Sequence, residues 1–107
     1  MVSRDEVWLI ALDPALGAEM RKTRPCLVVS PNEMNANLDT VLVAPLTSRL
    51  RNYPTRAPIS FGGKRGQVAL DQLRAVDRAR LVKRLGRASP TAALAVAGIL
   101  TAMFARA

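Results

Sequence analysis

Hydrophobic residues fall along this chain in short runs, divided by polar segments rich in proline and glycine. Residues 6–12 (Glu-Val-Trp-Leu-Ile-Ala-Leu) are almost unbroken in apolar character, which predicts a mostly buried strand. Asp13-Pro14 ends it. Residues 15–23 mix a glycine, a carboxylate and cations, and read as a loop. Pro25 opens a second strand, Cys-Leu-Val-Val-Ser at 26–30, and Pro31-Asn32 closes it. Residues 32–39 are a polar connection with room for one helical turn, and 40–44 (Thr-Val-Leu-Val-Ala) form a third strand. A long basic loop with three prolines occupies 45–58. Beyond it, 57–61 and 66–70 read as strands joined by the hairpin signal Gly62-Gly63-Lys64. Residues 72–76 continue that pairing after a bend, 77–80 turn, and 81–85 form a last strand stopped by Gly86.

The final element has another period. Ser89-Pro90 is a helix start, a hydroxyl N-cap followed by proline at the first helical position. Val96, Ile99, Leu100, Met103 and Phe104 then fall on one helical face. The other face, Ala95, Gly98, Thr101, Ala102 and Ala105, is small and weakly polar. Such a helix is expected to pack on the sheet, with its far side in a dimer contact. A membrane-surface helix would carry Lys or Arg along one face. Short, evenly spaced strands followed by one helix predict a mainly β fold: a small antiparallel barrel with a C-terminal helix, one domain over 1–107.

Composition narrows the chemistry. Sixteen Lys and Arg oppose eight Asp and Glu, a net charge of +8, and thirteen of the cations are Arg. Arginine grips phosphate with a flat two-pronged fork, so the balance favours a polyanionic partner. The single cysteine, Cys26, excludes an internal disulfide and a cysteine-based zinc site, and reads as a small buried hydrophobe. The absence of histidine removes imidazole acid–base pairs, Ser-His-Asp triads and His-ligated metals. No signal-peptide run or membrane-length apolar stretch occurs, so a cytoplasmic protein is expected, with no cofactor and no metal.

Four stretches narrow the reading further. They are Glu-Val-Trp-Leu-Ile-Ala-Leu-Asp-Pro at 6–14; Gly-Ala-Glu-Met-Arg-Lys-Thr-Arg-Pro at 17–25 with Val-Val-Ser-Pro at 28–31; Val-Ala-Pro-Leu-Thr-Ser at 43–48; and Leu-Asp-Gln-Leu-Arg-Ala-Val-Asp at 70–77. In this order and spacing the chain resembles the MazF/PemK family of toxin–antitoxin ribonucleases. Two positions depart from the family pattern. Asp5 stands where a glycine is usual before the first strand, and Thr55 follows Tyr53-Pro54 where an aromatic is common. The resemblance implies an SH3-like barrel of the CcdB/PemK type that dimerises, with single-stranded RNA in a groove across the dimer. It implies sequence-specific, ribosome-independent cleavage by the RNA's own 2′-hydroxyl, and an acidic antitoxin partner.

The same resemblance assigns roles to residues. Arg24, at the Arg-Pro element, is the expected catalytic cation, able to hold two phosphate oxygens and offset charge in the transition state. As a residue alone it reads instead as a surface arginine paired with Glu19. Thr47 matches the family hydroxyl, with Ser48 as helper, although Ser and Thr also serve ordinary turns. Glu19 either takes the 2′-hydroxyl proton or orients Arg24. Asp71 and Gln72 match an RNA-contacting pair or are merely strand-end polar residues. Arg49, Arg51 and Arg56 are expected to hold backbone phosphates. Arg78, Arg80, Lys83, Arg84 and Arg87 form a second basic cluster, either RNA-facing or simply solvated. Trp8 is read as the largest core residue.

Two other functions compete: a gyrase poison of the CcdB type on the same barrel, and a nucleic-acid-binding module without activity. The first is disfavoured by the C-terminal Met-Phe-Ala-Arg-Ala, where such toxins carry a tryptophan. The second separates from a nuclease only by its dependence on Arg24 and Thr47.

Overall fold

A computed structural model of the chain describes residues 1–106. Seven strands and two helices follow in the order β1 (Glu6–Ala11), β2 (Thr23–Val28), α1 (Asn32–Asn37), β3 (Thr40–Thr47), β4 (Arg56–Phe61), β5 (Lys64–Ala69), β6 (Arg74–Asp77), β7 (Leu81–Arg87) and α2 (Pro90–Phe104). Short 3-10 turns at Leu70–Gln72 and Arg78–Arg80 flank β6. All pairings are antiparallel, in the order β4-β5-β3-β2-β1-β7. The first half of β3 also pairs with β6, and its last two residues pair with β5. Splitting its partners in this way curls the sheet into a half-barrel, the mainly β fold with a C-terminal helix expected from the pattern.

Both faces of the central strands are covered, which is why those strands read as unbroken apolar runs. Side chains alternate between faces along a strand. Leu27 and Val29 face a core with Val7, Ala44, Val68 and Leu70, covered by Ala92 and Val96 of α2. Cys26 and Val28 face a second core with Ile10, Leu12, Val41, Val43 and Val76. Burial pushes the Cys26 thiol up to about 12 against the pull of Arg24 and Arg74, so it packs as a hydrophobe.

Several boundaries differ from expectation: β7 is not stopped by Gly86 but pairs with β1 through it to Arg87, and two other boundaries involve proline. β2 starts at Thr23, ahead of Pro25, and β3 runs past Pro45 to Thr47. A proline lacks only its own N–H. Neighbouring residues carry the ladder through it, as Cys26↔Pro45 and Leu9↔Pro25 show. The predicted helix face packs on the core through Val96, Ile99, Leu100 and Met103, joined by Ala95 from the face expected to point away, whereas Phe104 is 69% exposed. Trp8 is only half-buried, at the margin of the second core. Asp5 has φ 72°, the left-handed region in which a side chain costs energy and glycine does not. Its backbone is held there by Asp5 N–H donating to Val28 O and Ala88 N–H donating to Asp5 O.

A buried carboxylate closes the β1–β7 edge. Glu6 is 6% exposed. It accepts from Ser3 N–H at 2.8 Å, Trp8 Nε1 at 3.1 Å and Arg84 Nε at 2.6 Å. Burial alone would raise its pKa, but these donors together outweigh burial and hold it below the usual 4.5. A group with a depressed folded pKa stabilises above its unfolded value, and that contribution is lost as pH falls through the folded one. Stability should therefore decline as pH falls below about 4.5. Glu6→Gln should cost about 1–3 kcal/mol at neutral pH and flatten part of the acid decline. Thermal melts of both proteins between about pH 3 and pH 7 measure this, and parallel pH curves would contradict it.

Candidate functional site

The β2–β3 ladder positions the centre of the site. Its pairs are Cys26↔Pro45, Leu27↔Ala44 and Val28↔Val43. Continuing that register by two residues brings Arg24 opposite Thr47, on the strand face shared with Cys26 and Pro45. Directly opposed side chains sit about 5 Å apart at Cβ. Extended in this way, the register puts a cation and a hydroxyl on one face at the open end of the two strands, and both line the same groove.

An open groove of about 840 Å³ runs over this mouth. Arg24, Thr47 and Ser48 form its floor, and Glu19 lines the flank given by the loop between β1 and β2. Arg49, Arg51 and Arg56 come from the loop between β3 and β4, and Asp71 and Gln72 from the turn after β5. The nine residues expected to act in catalysis or to contact RNA, Glu19, Arg24, Thr47, Ser48, Arg49, Arg51, Arg56, Asp71 and Gln72, therefore line one surface. A smaller, more apolar hollow of about 280 Å³ lies on the other side of the same ridge, between Arg24, Thr47 and Phe61.

Local bonds decide what each side chain is free to do. Arg24 Nε donates to Arg21 O at 2.9 Å, which aims the guanidinium by its inner nitrogen. Its two terminal nitrogens have no protein partner among the described residues. No ion pair joins Arg24 to Glu19 there; the ion pairs are Arg56–Asp71 and Arg84–Glu6. Thr47 Oγ accepts from Arg49 N–H at 3.1 Å, leaving its own proton to donate elsewhere. Glu19 Oε1 accepts from Leu16 N–H at 2.7 Å, so one carboxylate oxygen shapes its own loop. Gln72 Oε1 accepts from Met20 N–H at 3.2 Å and ties that loop to the turn after β5. Its amide nitrogen is the part of Gln72 left for a ligand.

Arg56, expected to hold a backbone phosphate, is paired with Asp71. Arg56 Nε and Nη2 donate to the two oxygens of Asp71 at 2.7 and 3.2 Å, and Thr55 Oγ donates to Asp71 Oδ1 at 3.1 Å. The Arg56 side chain is 6% exposed. Its hydrogen bonds hold the Asp71 carboxyl below the usual carboxylate range despite partial burial. Arg49 and Arg51, both exposed, remain the open cations of this loop.

The second basic cluster is largely structural. Arg78 Nε donates to Leu38 O, Arg80 Nη1 to Ala11 O and Asp13 O, and Arg87 Nη1 to Arg4 O. Arg74 Nη1, which had no assigned role, donates to Leu12 O at 3.0 Å and braces the start of the β1–β2 loop. Tyr53, which also lines the groove, was not among the expected site residues. Among the described residues no group of three His, Cys, Asp or Glu side chains converges as a metal cage.

Residues 3–104 match the family model described as PemK-like, MazF-like toxin of type II toxin–antitoxin system. The chain is 37% identical to Endoribonuclease PemK of Escherichia coli over 107 aligned positions, covering 94% of this chain and 80% of the relative. A crystal structure of MazF from Deinococcus radiodurans superposes with TM-score 0.83 at 28% identity, covering 95% of this chain and 94% of that one. A MazE–MazF structure from the same organism gives TM-score 0.70 at 28% identity, covering 96% and 94%.

Gly66 ties the groove floor to β5. A Cβ placed there would lie 2.6 Å from the backbone oxygen of Thr47, closer than two such atoms can approach. Gly66→Ala should push the end of β3 outward and cost about 1–3 kcal/mol. Urea denaturation checks this; an unchanged midpoint would show that β3 and β5 do not meet so closely.

Proposed function

The chain belongs to the family of PemK-like, MazF-like toxins of type II toxin–antitoxin systems, and on that premise we propose that it is an endoribonuclease toxin cutting single-stranded RNA. The observation that carries this reading is the juxtaposition of Arg24 and Thr47 on the floor of a basic groove. The proposed cleavage is sequence-specific, independent of the ribosome and independent of metal.

In the proposed reaction the RNA supplies its own nucleophile. The 2′-oxygen bonds to the adjacent phosphorus, the bond to the 5′-oxygen breaks, the 2′-proton departs and the 5′-oxygen gains one. The products are a 2′,3′-cyclic phosphate and a 5′-hydroxyl. The protein must align the attack and stabilise charge on the phosphorane. The terminal nitrogens of Arg24 hold two non-bridging oxygens while its inner nitrogen stays anchored. Thr47 donates its hydroxyl to the same phosphate, with Ser48 beside it. Glu19 is the carboxylate nearest in role to a proton acceptor, through the oxygen not used by Leu16. Arg49 and Arg51 hold flanking phosphates, and the Gln72 amide meets a base edge.

The family also frames the partners. The positive groove suits an acidic antitoxin segment that orders on binding and occludes the RNA path. The E. coli relative is an endoribonuclease, and the D. radiodurans relative is solved with MazE. A homodimer is proposed as the active form, with the exposed apolar face of α2 at Leu94 and Phe104 among the surfaces that association would cover. Residues 1–107 are read as one toxin domain, acting in the cytoplasm where its RNA lies. No described helix is long and apolar enough to cross a membrane.

The test uses purified protein, end-labelled single-stranded RNA and EDTA. Cutting at short preferred sequences with 5′-hydroxyl products is expected. Arg24→Ala should lower the cleavage rate about 100- to 1000-fold, the cost of deleting one transition-state donor, with an unchanged melting temperature. Arg24→Lys should rescue little, because a point charge does not reproduce the fork. Intact RNA across a broad panel would end the enzyme reading, and an absolute need for Mg²⁺ would end the metal-independent mechanism.

A further inference from the structure

Tyr53 is the one aromatic side chain among the described residues lining the groove, and it is 49% exposed. An aromatic ring left half in water at a polyanion-binding surface needs a reason, since burial would be more favourable. Its surroundings supply one. The Arg56 guanidinium lies 5.1 Å from the ring centroid and covers one face. That guanidinium cannot swing away, because Asp71 grips two of its nitrogens and Thr55 braces Asp71.

The backbone under the ring is fixed as well. Arg56 N–H donates to Tyr53 O at 3.1 Å across a turn that contains Pro54. Leu70 N–H donates to Thr55 O at 3.1 Å and ties the turn to the end of β5. Two residues earlier, Gln67 clamps Arg51 from both sides: its Oε1 accepts from Arg51 N–H and its Nε2 donates to Arg51 O, each at 3.0 Å. A long, polar, proline-bearing loop is thus pinned on both sides of Tyr53. A platform fixed in advance loses little entropy when something flat settles on it.

We propose that Tyr53 is a stacking platform that receives the flat face of one unpaired RNA base beside the scissile phosphate, with Arg56, Asp71 and Thr55 as positioning residues. The proposal rests on the RNA-cleaving reading above and adds a base contact to its phosphate contacts. Exposed Arg51 is two residues away in sequence and holds the phosphate of the stacked nucleotide. Arg56 contributes through the ring it backs.

The experiment combines three Tyr53 variants with abasic RNA. A single-stranded RNA that the wild-type protein cuts is remade with one abasic nucleotide at each position around the cut. Tyr53→Phe should cleave within about twofold of wild type, and Tyr53→Ala should raise KM by about 5- to 150-fold with a smaller change in kcat. Tyr53→Leu keeps apolar cover over Arg56 without a flat face and should resemble Tyr53→Ala. At one position the abasic RNA should lose the same factor with wild type and lose nothing further with Tyr53→Ala. Unimpaired Tyr53→Ala, or a Tyr53→Phe loss as large as that of Tyr53→Ala, would overturn the platform. So would penalties that multiply at every position. A wild-type protein that cuts no RNA at all would instead overturn the nuclease reading, and the platform with it.

Discussion

The register of β2 on β3 is the constraint on which the rest of the site depends. It alone brings a guanidinium from one segment and a hydroxyl from another, 23 residues apart, to the same place. Register is usually secured by polarity, because a slip of one residue turns apolar side chains toward water. Here both faces of the ladder are apolar, so a slip would exchange one core for the other. The strands are locked at their far end by a polar knot. Ser30 Oγ donates to Asn35 Oδ1 and accepts from Leu42 N–H at 3.1 Å, and Asn35 Nδ2 donates to Ser30 O at 3.0 Å. Val29 N–H donates to Leu42 O at 2.9 Å. Ser30 and Asn35 are both buried, where unmet hydrogen bonds cost most. A slip would orphan them, and so the lock at one end of the strands sets the chemistry at the other.

The charge of the protein follows a second logic. An arginine paired with a carboxylate stabilises locally and cancels its own field. An arginine that donates to a backbone carbonyl stabilises locally and keeps it. Arg4, Arg24, Arg74, Arg78, Arg80 and Arg87 all take the second course. Two ion pairs occur among the described residues, Arg56–Asp71 and Arg84–Glu6. Pairing leaves the net charge of +8 unchanged, and most of the cations stay outside ion pairs among the described residues, so the surface carries a positive field able to draw in a polyanion from a distance. The same side chains brace the strand ends and the loop beside the groove, so structure and steering share one set of residues.

Much of this was legible in the sequence, for identifiable reasons. Apolar runs bounded by Pro, Gly and Asn located the strands, and Ser89-Pro90 located α2, whose Ser89 hydroxyl accepts from Ala92 N–H. The Arg-Pro and Pro-Leu-Thr-Ser elements marked residues that share the groove floor. Pro25 and Pro45 concealed the true strand limits, because a proline stops a ladder only where its own N–H is needed. The pairing of Arg56 with Asp71 spans 15 residues and a hairpin, beyond any local pattern. Tyr53 carries no site signal in the sequence, because a single tyrosine beside a proline looks like turn composition. Only its exposure over a locked guanidinium distinguishes it. The left-handed backbone of Asp5 explains a departure visible in the sequence: the family's usual glycine fits that conformation without cost, and Asp5 holds it by two backbone hydrogen bonds.

Under the proposed mechanism the lack of histidine becomes a consequence rather than a puzzle. An enzyme that must generate a nucleophile needs a group that gives and takes protons near neutral pH. A protein that grips RNA near a 2′-hydroxyl receives its nucleophile with the substrate. Most of what remains is alignment and charge stabilisation, and a cation that stays protonated performs both. This shifts the burden from acid–base tuning to geometry. The inner nitrogen of Arg24 is tethered to Arg21, the β1–β2 loop is tied by Gln72 and Arg74, and the β3–β4 loop is clamped by Gln67. Each bond removes freedom that RNA binding would otherwise have to remove. A site of the proposed kind is sensitive less to pH than to any change that loosens those anchors, and the anchors lie outside the pair of residues proposed to touch the reacting phosphate.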